Sequence, residues 1–150
     1  MNNFSQIRRF LCLLSLGVLA WPAGAGTPEW VLCRDMPEGG AKGCFRVTED
    51  CGAAALRREE GAKTRTCDAT PEQCQALGIA FKEDSAVLRG LADPSQKADP
   101  LGMQCRGYRL FHGTDDFRGC LGERSDRAVK RVRTLSNLWR LAEGTCSESH

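Results

Sequence analysis

Apolar and polar residues alternate from Trp30 to Met36, the period of a strand with one buried face. Pro37-Glu38-Gly39-Gly40-Ala41-Lys42-Gly43 is turn chemistry, and Cys44-Phe45-Arg46-Val47 predicts the returning strand of a hairpin. The pattern then changes. The Thr48 hydroxyl can cap a helix, Glu49 and Asp50 add negative charge where the helix dipole favours it, and Ala53-Ala54-Ala55-Leu56 continues the helix to Glu60 before Gly61 stops it. Cys51 falls in the first turn, placed to be tied to a neighbouring strand.

Thr70-Pro71-Glu72-Gln73 has the order of a capping box: a hydroxyl, an N1 proline and an N3 glutamine. Cys74, Leu77 and Phe81 follow at helical spacing, so Cys74 is predicted to point inward. Ser85 to Leu91 predicts one further short helix. Residues 93–101 are polar, with two Asp-Pro steps (Asp93-Pro94 and Asp99-Pro100) that disfavour helix, and form a linker. Gln104 to Phe111 reads as extended, with a turn at His112-Gly113. Thr114 caps a last helix with Asp115 and Asp116 in its first turn. Phe117, Leu121, Ala128, Val132, Leu135, Trp139 and Ala142 make one apolar stripe, which predicts a helix of about 27 residues ended by Gly144. The fold class is therefore α+β, small and disulfide-rich: a hairpin–helix module over 26–92 and a strand–long-helix module over 102–150.

The first 25 residues read as a secretory leader. Arg8 and Arg9 precede an apolar run of about 12 residues, and Ala23-Gly24-Ala25 offers the small-x-small pattern that signal peptidase requires. The run is short for a membrane span, and no later segment approaches the length of one, so a periplasmic or secreted product is expected. The chain has 9 cysteines, and Cys12 lies in the leader. Cys33, Cys44, Cys51, Cys67, Cys74, Cys105, Cys120 and Cys146 remain, an even set that predicts a disulfide framework in an exported chain. The first five belong to one module and the last three to the other, so complete pairing demands a bond between the modules, with Cys146 the first choice. A Cys105–Cys120 bridge would clip strand to helix and contribute roughly 3 kcal/mol in the chain-entropy model. Zinc is disfavoured, because Cys44–Cys51 and Cys67–Cys74 each enclose six residues and only His112 and His150 offer imidazole. Neither a metal nor a cofactor is expected.

Two segments resemble parts of small cysteine-rich exported bacterial proteins. The first is Trp30-x-x-Cys33 with Cys44-Phe45-Arg46-Val47-x-x-x-Cys51; the second is Cys105-x-x-Tyr108-x-x-x-x-Gly113-Thr114-Asp115-x-Phe117-x-x-Cys120. The second departs from the pattern at Arg109 and His112, where glycine and proline would stand. The resemblance implies an exported bacterial source and brings neither a catalytic residue nor a substrate.

Arg8 and Arg9 account for the formal net charge of +2, and without them 19 basic and 19 acidic residues remain. A neutral molecule has no global field to recruit nucleic acid or an anionic membrane. His112 with Asp115 and Asp116 is the only cluster resembling a catalytic base, and turn-filling and capping account for it more simply. Glu59-Glu60 and Glu83-Asp84 read as solvated carboxylates. Arg124, Arg127 and Arg131 share a helix face, which is either the wet side of that helix or a binding face for an acidic protein. The expected function is accordingly non-enzymatic: a rigid binder of an envelope or extracellular protein, of inhibitor or immunity type. The competing expectation is thiol-redox or metal handling by incompletely paired cysteines.

Overall fold

The computed structural model describes residues 28–35, 43–92 and 106–147. The predicted leader and linker, Cys105, His150 and most of the predicted Pro37–Gly43 turn lie outside these residues.

The alternation at Trp30 forms strand β1 (Glu29–Arg34), which pairs antiparallel with β2 (Gly43–Thr48) as the predicted hairpin. Trp30 and Leu32 point to one face of the sheet together with Phe45 and Val47, all four buried. The predicted helix between Thr48 and Glu60 does not form. Cys51 and Ala54 adopt positive φ (49° and 60°), so the chain turns, and Leu56–Glu60 runs back as strand β3 beside β2. Leu56 is fully buried among the core side chains, and ion pairs from Arg57 to Glu29 and from Glu59 to Arg46 fix the strand. Burial and charge pairing across strands outweigh the helix propensity of the alanines. Gly61, read as a helix stop, opens the two-residue turn to β4 (Lys63–Thr66), a fully exposed edge strand.

Helix α1 (Pro71–Gly90) begins as its sequence dictates. The Thr70 hydroxyl accepts from the Gln73 amide, and the Gln73 side chain accepts from the Thr70 amide. Cys74 is buried as predicted. The separate helix at Ser85 is instead the second half of α1, because Phe81, Ser85 and Leu88 continue one buried stripe at helical spacing.

The extended piece after the linker is β5 (Gly107–His112), which pairs with β1 on the side opposite β2. The long helix predicted from Thr114 is two elements. Asp115–Cys120 forms β6, joined to β5 by a tight turn at Gly113 (φ 58°), and the helix α2 starts only at Asp126 and runs to Ser147. Phe117 and Leu121, four apart, mimic a helical repeat. Phe117 and Gly119 are in fact successive inward positions of a strand, and Leu121 lies exposed in the turn after it. The break occurs at Gly122 (φ 96°), and Ser125, not Thr114, caps the helix by accepting from the Ala128 amide. Gly144 does not end α2, which continues through the buried Cys146.

The result is one six-stranded antiparallel sheet, order β4-β3-β2-β1-β5-β6, with α1 and α2 on one face. Phe81 of α1 stacks on Trp30 (5.8 Å), and Trp139 of α2 meets Phe45 edge-on (4.7 Å). The two predicted modules are thus halves of one sheet over one core. Two glycines permit this closure. A Cβ at Gly107 (φ 155°) would stand 2.1 Å from the Gly119 carbonyl oxygen, and one at Gly119 would stand 3.1 Å from the Val132 Cα of α2.

Candidate binding face

Helix α2 is amphipathic with a wide apolar stripe: Ala128, Leu135, Leu138, Trp139, Ala142 and Cys146 face the sheet. Lys130, Arg133, Asn137 and Arg140, at steps of three and four, therefore form the opposite, exposed face. They span about 15 Å at the rise of an α-helix. Arg127 in the first turn and Arg124 just before it are exposed as well. None of the five cations (Arg124, Arg127, Lys130, Arg133, Arg140) forms a salt bridge among the described residues. Elsewhere most of the described arginines are paired: Arg46, Arg57, Arg58, Arg89, Arg109 and Arg118 each contact a carboxylate, while Arg34 lies over the Tyr108 ring and Arg65 meets the Cys146 sulfur.

The predicted trio of Arg124, Arg127 and Arg131 is divided by the structure. Arg131 is only 8% exposed and pairs with Glu123 at 3.1 Å, so it fixes the turn before α2 and does not face solvent. Arg124 precedes the helix, which breaks the helical register assumed from sequence. Lys130, Arg133 and Arg140 replace Arg131 on the open face. Their spacing was visible in the sequence, and so was the inward place of Arg131, three residues after Ala128 and four before Leu135 on the apolar stripe itself.

The sheet face away from the helices is the second polar surface. Glu29 bridges Arg46 (2.6 Å) and Arg57 (3.0 Å), and Arg46 also holds Glu59 (2.7 Å). Arg109 binds Asp116 through two nitrogens (2.8 and 2.6 Å) and lies 4.2 Å over the Phe111 ring. These hydrogen bonds, chiefly from Arg109, hold the Asp116 carboxyl below the usual carboxylate range, against a smaller opposing effect of burial. This surface is charged but internally neutralised.

The His112 cluster resolves differently from its sequence reading. The imidazole stacks on Trp30 (3.8 Å between centroids), and its Nε2 meets Glu49. Asp115 binds Arg89 and Asp116 binds Arg109 and Arg118, so the carboxylates serve arginines and cap no helix. Glu59 lies in the charge lattice rather than free in solvent, and Glu60 pairs with Arg58.

All seven described cysteines of the predicted set are disulfide-bonded. Cys33–Cys44, Cys51–Cys74 and Cys67–Cys146 are the pairs within the described residues, and the partner of Cys120 lies outside them. Cys146 makes the expected bond between the halves, to Cys67. The cysteines seen here supply no free thiol for the competing expectation of incomplete pairing. Among the described residues, no helix is long and apolar enough to cross a membrane, and no group of three or more His, Cys, Asp or Glu could hold a metal ion. No family profile, curated protein or solved structure matches the chain.

Proposed function

We propose that this chain is an exported, disulfide-locked binding protein whose basic α2 face docks an acidic surface of an envelope or extracellular protein. Five cations with no acidic partner among the described residues carry this proposal, whereas seven of the ten other described arginines are neutralised at short range. Unpaired like charges on one face repel each other, and a complementary partner relieves that repulsion while steering the encounter. A rigid scaffold keeps the entropic cost of docking low, as suits an inhibitor or immunity-type protein. The secretory leader and the dense disulfides support export.

The test compares the oxidised protein with a Lys130→Glu/Arg133→Glu/Arg140→Glu variant as bait in envelope extract. All three side chains are exposed, so the variant keeps its circular dichroism. The expected result is a stoichiometric acidic partner whose affinity falls at least about tenfold in the variant and weakens with salt. A partner held equally by the variant, or insensitive to salt, would overturn the proposal.

A further inference from the structure

The geometry points to Cys33–Cys44 as a thiol–disulfide exchange site, opened and resealed by a dithiol protein without loss of the fold. It lies on the sheet face opposite the helices and is independent of the α2 docking proposal.

Access sets this bond apart from the other two paired within the described residues. Both Cys33 and Cys44 are half-buried, on the face that carries Arg46, Glu59 and Arg109. By contrast, Cys67 and Cys146 are buried at 6% and 5% exposure, and in Cys51–Cys74 a half-buried Cys51 is joined to Cys74 at 1%. An attacking thiolate needs a line to one sulfur and expels the other as a thiolate. Cys67–Cys146 denies the first short of local unfolding, and burial of Cys74 disfavours the second.

Retention of geometry comes from the sheet. Cys33 and Cys44 are directly opposed in the β1–β2 ladder. β1 is held on its other side by β5, and β2 by β3. Opening the bond leaves those ladders intact, so the two thiols stay facing each other, ready to close again. Cys67–Cys146, in contrast, is a long-range tie between β4's end and the last turn of α2.

Arg109 stands opposite Cys33 on β5 with its guanidinium held by Asp116, and Glu59 stands opposite Cys44 on β3 with its carboxylate held by Arg46, so the charges flanking the bond are neutralised on both sides. Either sulfur can be attacked, and a reductant thiolate that attacks Cys44 Sγ sets the sequence. The Cys33–Cys44 bond breaks, a mixed disulfide forms on Cys44, and Cys33 leaves as the thiolate. The second thiol of the dithiol, once deprotonated, attacks its partner sulfur in the mixed disulfide. That closes the reductant's own disulfide and releases Cys44. Two electrons pass from dithiol to protein, and the two released sulfurs take up the two protons the dithiol lost.

The experiment exposes the native, oxidised protein to graded dithiothreitol, quenches by alkylation and maps the labelled cysteines by mass spectrometry. Cys33 and Cys44 should label at least about tenfold faster than Cys51, Cys74, Cys67 and Cys146, with unchanged far-ultraviolet circular dichroism. Oxidised glutathione should then restore the native bond. With reduced glutathione as a monothiol probe, the trapped adduct should sit on Cys33 or Cys44 before any of Cys51, Cys74, Cys67 and Cys146. Earlier or simultaneous opening of Cys51–Cys74 or Cys67–Cys146, loss of sheet signal on opening, or a first adduct on one of those four cysteines would overturn the inference.

Discussion

Asp116 and Asp84 are two carboxylates whose surroundings act on folding with opposite sign. Arg109 and Arg118 hold Asp116 charged, so its folded pKa lies below that of the unfolded chain. Its contribution to stability is present above the ordinary carboxylate range and is lost as pH falls through the lowered folded value. Asp116→Asn should therefore flatten the acid limb of a plot of urea midpoint against pH. Asp84 is raised, first by burial and then by Glu83, so its charged form weakens the folded state above that raised value. Asp84→Asn should raise the urea midpoint near neutral pH, and the gain should fade as the pH falls into the ordinary carboxylate range. Neither effect was legible in the sequence. Glu83-Asp84 read as plain solvated charge, and Asp116 as a capping residue of a helix that does not exist.

At the scale of elements, the approach of α2 to β6 rests on Gly119. Its missing Cβ lets Leu135 Cδ1 and the Val132 backbone come within 3.0 and 3.1 Å of where that atom would be. Gly119→Ala should destabilise the protein by about 1–3 kcal/mol, because the Val132 backbone cannot rotate away as a side chain can. Gly144→Ala is the contrasting case, with nothing within 4 Å and a helical position. It should stabilise by about 0.5–1 kcal/mol in the same thermal or urea unfolding assay. Which elements were legible follows from how local their causes are. The capping box at Thr70 and the hairpin alternation at Trp30 are determined by neighbours in sequence, and both formed as read. Leu56–Glu60 and Asp115–Cys120 became strands because ladders with β2 and β5 were there to receive them. Helical spacing in such short runs could not reveal that, and Arg124 was placed on the α2 face for the same reason, because the helix begins only at Asp126.

For the whole molecule, the decisive tie is Cys67–Cys146, which joins the two halves across a sequence separation of 79. Breaking it in a Cys67→Ser/Cys146→Ser variant should cost about 4–5 kcal/mol in the chain-entropy model. Urea unfolding of the variant beside the native protein would measure the loss, and a midpoint unchanged by the substitution would contradict the structural weight given to that bond. The same bond has a consequence for biosynthesis. Cys67 lies between Cys51 and Cys74 along the chain, yet those two pair with each other, while Cys67 waits for a partner near the C-terminal end. A polypeptide oxidised in the order it emerges would join Cys51 to Cys67 first. Reaching the native map from there requires shuffling, so yield in an oxidising compartment should depend on a disulfide isomerase more than on the oxidant itself.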